Sequence, residues 1–332
     1  MPSSTLAVAP LRISFVGGGS DIENFFRSHE GAVVSCAISK YVFVHAKIHD
    51  DSFGERYRIS YSQVEHVQEI SQIKNDIVRA ALEFLEIDFP IQISTLADLP
   101  AGTGLGSSSS FTVALLLALH ELKGRRPTKH ELAEEACHIE VNLLKHPIGK
   151  QDQYAAAFGG LNLLKFRQDS RVSVEPICIS SKDLLELSER TRLYWTNTKR
   201  SASRILKDQE GRSSENSDAL RELALLAHKF RDALENESID WGVMANIISK
   251  SWSIKQNLSP LISSNEIAEF IRKLQVSEKQ GIKLLGAGGG GFILNFDGNE
   301  NYPSPYEQFV DAPLSSFTPE IDHLGARIIS SF

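Results

Sequence analysis

Apolar residues fall along this chain in two alternating spacings, one of strands and one of helices. Leu11–Val16 is a strand-length apolar run ending at Gly17-Gly18-Gly19-Ser20-Asp21. Ala32–Ile48 alternates through Val33, Val34, Tyr41, Val42, Phe43 and Val44 and predicts two further strands. Ile77, Ala80, Ala81, Phe84 and Leu85 recur at helical spacing, so Asp76–Leu85 predicts a helix. Ile91–Ser94 predicts a strand and Phe111–Leu122 a buried helix. Thr128 and Glu131 form a capping-box pattern opening a helix that runs to about Lys145, before Pro147 and Gly149. A short helix over 152–158 stops at Gly159-Gly160, and Leu161–Phe166 predicts a strand.

Around 180–190 the chain turns charged and rich in Ser, which sets a boundary between domains 1–188 and 189–332. Beyond it, Leu193–Thr196 predicts a strand. Helices follow at 201–209, 215–236, 240–253 and 264–280. Lys283–Leu285 and Phe292–Phe296 predict paired strands around a Gly-rich turn. The Pro- and Asn-rich stretch 297–316 predicts an irregular loop, and Ile321–Ile329 an edge strand. Strands cluster with helices between them, which favours a layered α+β fold over a doubly wound one.

At 332 residues the chain can hold two domains with their own cores. A net charge of −7 points away from nucleic acid and anionic membranes as partners. No apolar run approaches the ~20 residues of a membrane span. Pro10 and Arg12 interrupt what would otherwise be a leader-like apolar start. Three scattered cysteines, Cys36, Cys137 and Cys178, suit a reducing cytoplasm and show no metal spacing. The histidines form no His-x-x-x-His pair in a helical context.

Candidate chemistry begins at Pro100-Ala-Gly-Thr-Gly-Leu-Gly-Ser-Ser-Ser-Ser110, which runs directly into the apolar helix. Three glycines in five residues let the backbone approach a ligand closely. The unpaired N–H groups of the helix start then make a phosphate cradle. It is not a Walker A loop, because no Lys follows Gly106. The segment Gly286-Ala-Gly-Gly-Gly-Gly291 fits Gly-x-Gly-x-x-Gly but lies late and precedes a strand, unlike a dinucleotide fold. Glu140 falls inside the stripe Leu132, Ala136, Ile139 and Leu143, where a carboxylate is costly unless paired or metal-bound. Asp152 precedes a helix and reads either as an N-cap or as a carboxylate beside a phosphate site. Phosphoryl transfer to a hydroxyl requires a proton acceptor, hard oxygen ligands for Mg²⁺ and a cation. Asp152, Ser108, Glu140 and Arg12 could supply them, although no spacing rule makes them converge.

Ala9-Pro-Leu-Arg12-Ile-Ser-Phe-Val-Gly-Gly-Gly-Ser-Asp21 resembles the first motif of the GHMP small-molecule kinases in its sugar-kinase form. Residues 100–109 resemble their ATP-phosphate motif, and Leu285–Phe292 their third. The three occur in order, and the similarity covers nearly the whole chain. The resemblance implies a two-domain architecture, with an N-terminal ribosomal-S5-domain-2-like sandwich, a C-terminal ferredoxin-like domain and an active site in the cleft. It implies ATP and Mg²⁺ as cofactors. Gly102, Gly104, Gly106, Ser107, Ser108 and Ser109 would then cradle the ATP phosphates, while Ser108 and Glu140 hold the metal. Asp152 would accept the acceptor's proton, and Arg12 would stabilise charge on the transferring group. Gly18, Gly19, Ser20 and Asp21 would bind sugar hydroxyls, and Gly288, Gly289 and Gly290 would shape the adjoining wall.

Gly149–Gly160, Arg200-Ser-Ala-x-x-Ile-Leu206, Trp252-Ser-Ile-Lys255 and Gly286–Leu294 resemble one branch in particular. That branch phosphorylates the anomeric C1 hydroxyl of D-glycero-D-manno-heptose 7-phosphate, for nucleotide-activated heptose and surface polysaccharide. An acceptor carrying phosphate needs a cation, and Arg200 and Lys255 are the expected pair. Ser20 stands where Thr is usual, keeping the hydroxyl, and Asn197 replaces an expected Gly. Two alternatives stay open at this point: a kinase for an unphosphorylated sugar of the fucose or galactose type, and a non-catalytic ATP- and sugar-binding regulator. A homodimer is compatible with the sequence, which fixes no oligomeric state.

Overall fold

The computed structural model describes residues 2–198, 202–212, 214–300 and 315–332. Its first sheet contains β1 (Ser4–Val16), β2 (Gly31–Ile48), β3 (Tyr57–Ser60), β4 (Val64–Val67), β5 (Ile91–Ala97), β6 (Leu161–Phe166) and β7 (Val172–Pro176). The C-terminal β12 (Arg327–Ser331) returns to pair antiparallel with β1. The order is β12-β1-β2-β5-β3-β4, with β6 joining β2 and β7 joining β6.

β2 corrects the expectation of two strands. It is continuous, but Pro10 faces Tyr41 while Leu11 faces Ile38, so Ser39 and Lys40 are extra residues in the ladder. Past this irregularity the strand changes partner, from β5 along Val42–Ile48 to β6 along Gly31–Cys36. Both halves serve both cores: Val33, Val44 and Ala46 pack with the first, and Ala32, Val34, Cys36, Ile38 and Val42 with the second. A bulge bends a strand, which lets one strand serve two partners.

The first core lies between this sheet and the helices α2 (Asp76–Phe84), α3 (Ser107–Leu122), α4 (Lys129–Cys137) and α5 (Gln151–Phe158). α3 is apolar nearly all round and is buried accordingly. A single turn, α1 (Glu23–Phe26), follows the first Gly-rich segment. The chain expected to form one helix from 129 to 145 instead leaves α4 for a π-helical turn, His138–Leu143. There Leu144 N–H reaches back five residues to Ile139 O at 2.9 Å. Such wide turns often occur at functional sites.

After α6 (Ser181–Glu189), the second sheet is built from β8 (Thr191–Trp195), β9 (Gln280–Leu284), β10 (Phe292–Asp297) and β11 (Ser316–Phe317). Its order is β11-β8-β10-β9 and every pairing is antiparallel. The helices α7 (Ala202–Gly211), α8 (Ser217–Leu234), α9 (Trp241–Lys255) and α10 (Asn265–Leu274) accompany it. α10 stops well short of the expected 280, where the Gln280 side chain instead accepts from Val276 and Ser277 N–H. The edge strand expected over 321–329 begins only at Arg327, and most of 297–316 lies outside the described residues. Asn197, standing for the expected Gly, adopts φ +56°, a left-handed conformation that Asn tolerates. The second core joins the two sheets: Leu11, Ile13 and Phe15 of β1 meet Phe230, Ile248 and Leu294, with the Phe15 and Phe230 rings stacked at 5.3 Å. No helix among the described residues is long and apolar enough to cross a membrane.

Candidate active site

The expected phosphate cradle is built by local backbone geometry. Gly102, Gly104 and Gly106 all have φ near +80°. Gly106 is the N-cap of α3, and Ser110 N–H makes the first helical bond, to Gly106 O at 3.0 Å. The N–H groups of Ser107, Ser108 and Ser109 therefore precede the helical ladder at the positive end of the helix dipole.

The third Gly-rich segment braces this loop. A Cβ on Gly104 would lie 2.7 Å from Leu285 O, and one on Gly286 would lie 2.5 Å from Gly104 Cα. Phe292 N–H donates to Thr103 O at 3.0 Å. Gly288, Gly289 and Gly290, expected beside the substrate, do not line the pocket there. Gly288 and Gly289 pack on Ile262, and Gly290 on Thr198. The wall positions belong to Gly286 and Ala287.

Arg12 reaches from β1 to the start of α5. Its Nε donates to Asp152 Oδ1 at 2.7 Å, Nη2 to Asp152 Oδ2 at 2.8 Å and Nη1 to Gly104 O at 2.7 Å. Asp152 is thus not an N-cap. Lys150 occupies the cap position, and Asp152 lies in the first turn, held by a bidentate guanidinium. Arg12 ties this carboxylate to the cradle, and two of its five N–H groups are left over from these three bonds.

The π-helical turn aims Glu140 at the same place. The side chain is fully buried, accepts from Ser108 Oγ at 3.0 Å and from Gln153 Nε2 at 2.7 Å, and has no salt-bridge partner among the described residues. Burial pushes its carboxyl above the ordinary range, and these hydrogen bonds offset part of that. Arg12, Asp152, Glu140, the three cradle glycines and Ser107–Ser109 all line one cavity of about 250 Å³.

A second pocket shares with this cavity the wall made by Arg12, Ile148, Asp152, Leu206, Gly286 and Ala287. Asp21 lies in it. Gly19 N–H donates to Asp21 Oδ1 and Gln151 Nε2 to Asp21 Oδ2, both at 2.9 Å. Burial raises the Asp21 carboxyl above its usual range, and the charge of Asp152 adds to this. Lys255 lines the same pocket, with Nζ donating to Gly286 O at 2.8 Å. Burial lowers its ammonium to about 8, and Arg12 contributes to the lowering. A Cβ on Gly18 would lie 3.5 Å from Lys255 Nζ. Ser20 is not in the pocket. Its hydroxyl donates to Gly17 O at 2.8 Å and accepts from Ala32 N–H at 3.1 Å, closing the turn. Arg200 lies outside the described residues.

Ser14, Gln151, Gln209 and Lys283 also line this pocket and were missed by sequence reasoning. Lys283 is buried and donates from Nζ to Ser14 O and Phe15 O, each at 2.9 Å. Burial drives its ammonium well below the lysine range. The available signal was a lysine inside the apolar strand Ile282-Lys283-Leu284. A larger pocket of about 630 Å³ adjoins the cradle at Ser107 and Ser108 and is walled by Leu96, Leu99 and Phe111.

The described residues contain no cluster of three or more His, Cys, Asp or Glu that could hold a metal by itself. A hydroxyl and one carboxylate beside a phosphate cradle suit Mg²⁺, which takes few protein ligands and completes its shell with water and phosphate oxygens.

The GHMP kinase N-terminal domain family matches residues 75–160. The chain is 33% identical, over 86% of its length and 87% of the relative's, to a D-glycero-α-D-manno-heptose 7-phosphate kinase of Campylobacter jejuni. It is 27% identical over 88% of its length to a bifunctional fucokinase/GDP-fucose pyrophosphorylase of Arabidopsis thaliana, of which it spans only 30%. The crystal structure of a D-glycero-D-manno-heptose 1-phosphate kinase from Bacteroides thetaiotaomicron has the same fold, with a TM-score of 0.78, 23% identity and 98% and 99% of the two chains covered.

Proposed function

This chain belongs to the GHMP kinases, ATP-dependent phosphotransferases, and from that premise we propose that it phosphorylates the C1 hydroxyl of D-glycero-D-manno-heptose 7-phosphate. The product is the 1,7-bisphosphate, which would feed nucleotide-activated heptose and surface polysaccharide. The observation that carries this reading is the position of Asp152 in the wall shared by the phosphate cavity and the second pocket, fixed there by Arg12. A base between a phosphoryl donor and a hydroxyl acceptor occupies the position in-line transfer requires.

The ATP phosphates lie on the N–H groups of Ser107–Ser109, between Gly102, Gly104 and Gly106. The adjoining apolar pocket around Leu96, Leu99 and Phe111 takes the base. Ser108 and Glu140 would hold Mg²⁺, which when bound would supply positive charge against the phosphate oxygens. The C1 hydroxyl donates its proton to Asp152, whose oxygens keep lone pairs beyond those engaged by Arg12. The C1 oxygen forms its bond to the γ-phosphorus as the bond to ADP breaks. The N–H groups that Arg12 keeps free meet charge developing on the phosphoryl oxygens.

On the acceptor side, Asp21 takes sugar hydroxyls beside Gly18 and Gly19. Lys255 meets the distal phosphate, with Arg200 as the second expected cation. The relative named as a heptose 7-phosphate kinase supports this choice of acceptor.

The test is ADP release with ATP and a panel of acceptors: heptose 7-phosphate, the unphosphorylated heptose, L-fucose, D-galactose and D-mannose. The heptose 7-phosphate should show the highest kcat/KM. Preference for an unphosphorylated sugar would replace this reading with the fucose- or galactose-type one. Absence of turnover with intact ATP binding would favour a regulator.

A further inference from the structure

Two polar atoms in the acceptor pocket have no hydrogen-bond partner among the described residues: Ser14 Oγ and Gln151 Oε1. Ser14 is only 6% exposed. Leaving such atoms unpaired is costly, and folded proteins satisfy nearly all of them. The remaining polar groups of both residues are engaged. Gln151 Nε2 donates to Asp21 Oδ2, which orients the amide and leaves Oε1 as a pure acceptor. Ser14 O accepts from Lys283 Nζ, which anchors β1 at that residue.

Both side chains converge on Gly18. A Cβ built there would lie 3.5 Å from Ser14 Oγ, 3.5 Å from Lys255 Nζ and 3.6 Å from Gln151 Nε2. The Gly18 backbone is not in the left-handed region, so its conformation does not demand glycine. The missing side chain instead keeps space between three polar groups.

We infer that Ser14 and Gln151 read one hydroxyl of the sugar acceptor, with Gln151 Oε1 accepting its proton and Ser14 Oγ donating to its oxygen. This rests on the sugar-kinase reading above. The pattern selects a hydroxyl among the groups a sugar phosphate offers. A phosphate dianion has no proton for Gln151 Oε1, and a methylene has neither donor nor acceptor. Sites that hydrogen-bond a substrate hydroxyl reject the deoxy analogue far more strongly than an apolar pocket rejects an extra methylene. Ser14 and Gln151 are thus specificity residues, distinct from the base Asp152 and the cation Lys255.

Ser14→Ala removes the hydroxyl without breaking a hydrogen bond among the described residues. The expected result is an unchanged or higher melting temperature, an acceptor KM raised about tenfold or more, and an unchanged KM for ATP. Gly18→Ala meets only ordinary van der Waals distances and places a methyl 3.5 Å from Ser14 Oγ and 3.6 Å from the Gln151 amide nitrogen. It should fold normally and raise the acceptor KM further. Each variant is assayed with heptose 7-phosphate and with the unphosphorylated sugars. If the wild type uses only an unphosphorylated sugar, the heptose assignment fails, while Ser14→Ala measured with that sugar still decides this inference. An acceptor KM unchanged in both variants overturns it. So does a drop in melting temperature for Ser14→Ala with KM unchanged, which marks a packing role. Turnover of no sugar overturns both readings.

Discussion

Arg12 and Asp152, 140 residues apart in sequence, are joined by two parallel hydrogen bonds of 2.7 and 2.8 Å. The same guanidinium holds Gly104 O, so one side chain sets the distance between carboxylate and cradle. Lysine offers a point charge and cannot reproduce this fork. Arg12→Lys should keep the fold and lower kcat by about a hundredfold, the usual consequence of a base misplaced by ~1 Å. Steady-state kinetics at saturating ATP check this, and a wild-type kcat would show that the fork does not position the base.

Asp152→Asn keeps the shape and removes the proposed proton acceptor. We expect kcat to fall by roughly 10²–10⁴-fold, the range for a positioned acid–base group. Nucleotide affinity, read by titration with a fluorescent ATP analogue, should hardly change. Near-normal turnover would remove Asp152 from the chemistry.

Glu140 bears on both metal use and stability. Its folded carboxyl titrates above the ordinary glutamate value of 4.5 because it is buried. Between those two values the native state binds more protons than the unfolded chain, so its stabilising contribution is full at lower pH and is lost as pH rises through the folded value. Glu140→Gln should therefore match or exceed the wild type in melting temperature at neutral pH without Mg²⁺, and the difference should shrink below pH 4.5. Its activity should be lower and need more Mg²⁺. A mutant that melts lower at every Mg²⁺ concentration, with an unshifted Mg²⁺ titration, would argue against the ligand role.

Lys255 titrates near 8 in the folded protein against 10.5 ordinarily, because it is buried. The unfolded chain binds the extra proton between those values, so this residue makes the protein more stable as pH rises from about 8 to 10.5. Acceptor binding should run the other way, because only the charged ammonium attracts a phosphate. The acceptor KM should climb above pH 8, and Lys255→Ala should raise it ten- to a hundredfold at pH 7 and flatten that climb. A KM profile identical in mutant and wild type would free Lys255 from the acceptor.

Gly149 has no room for a side chain. A Cβ there would lie 2.0 Å from Asp21 Oδ2 and 2.8 Å from Asp21 O. Gly149→Ala should displace Asp21, raise the acceptor KM by at least tenfold and leave nucleotide binding intact. Equal losses for acceptor and nucleotide would mean that the damage spreads through the whole cleft.

Sequence alone determined the features that depend on neighbouring residues. Gly102–Ser110 encodes the cradle because glycine conformations and a helix start are local. The stripe of Leu132, Ala136 and Ile139 marked Glu140 as a buried carboxylate, and Thr128 with Glu131 marked the start of α4. Tertiary structure decided where these features meet. Asp152 could not be told from an N-cap until Arg12 gripped it. Gly288–Gly290 looked like pocket wall and proved to pack on Ile262 and Thr198. Ser14, Gln151 and Lys283 carry no motif of their own and acquire a place only where β1, α5 and β9 meet. The physical reason is range. Backbone preference and helix capping act over a few residues, whereas the meeting of side chains from distant elements depends on strand register and on how the two sheets pack around their shared core.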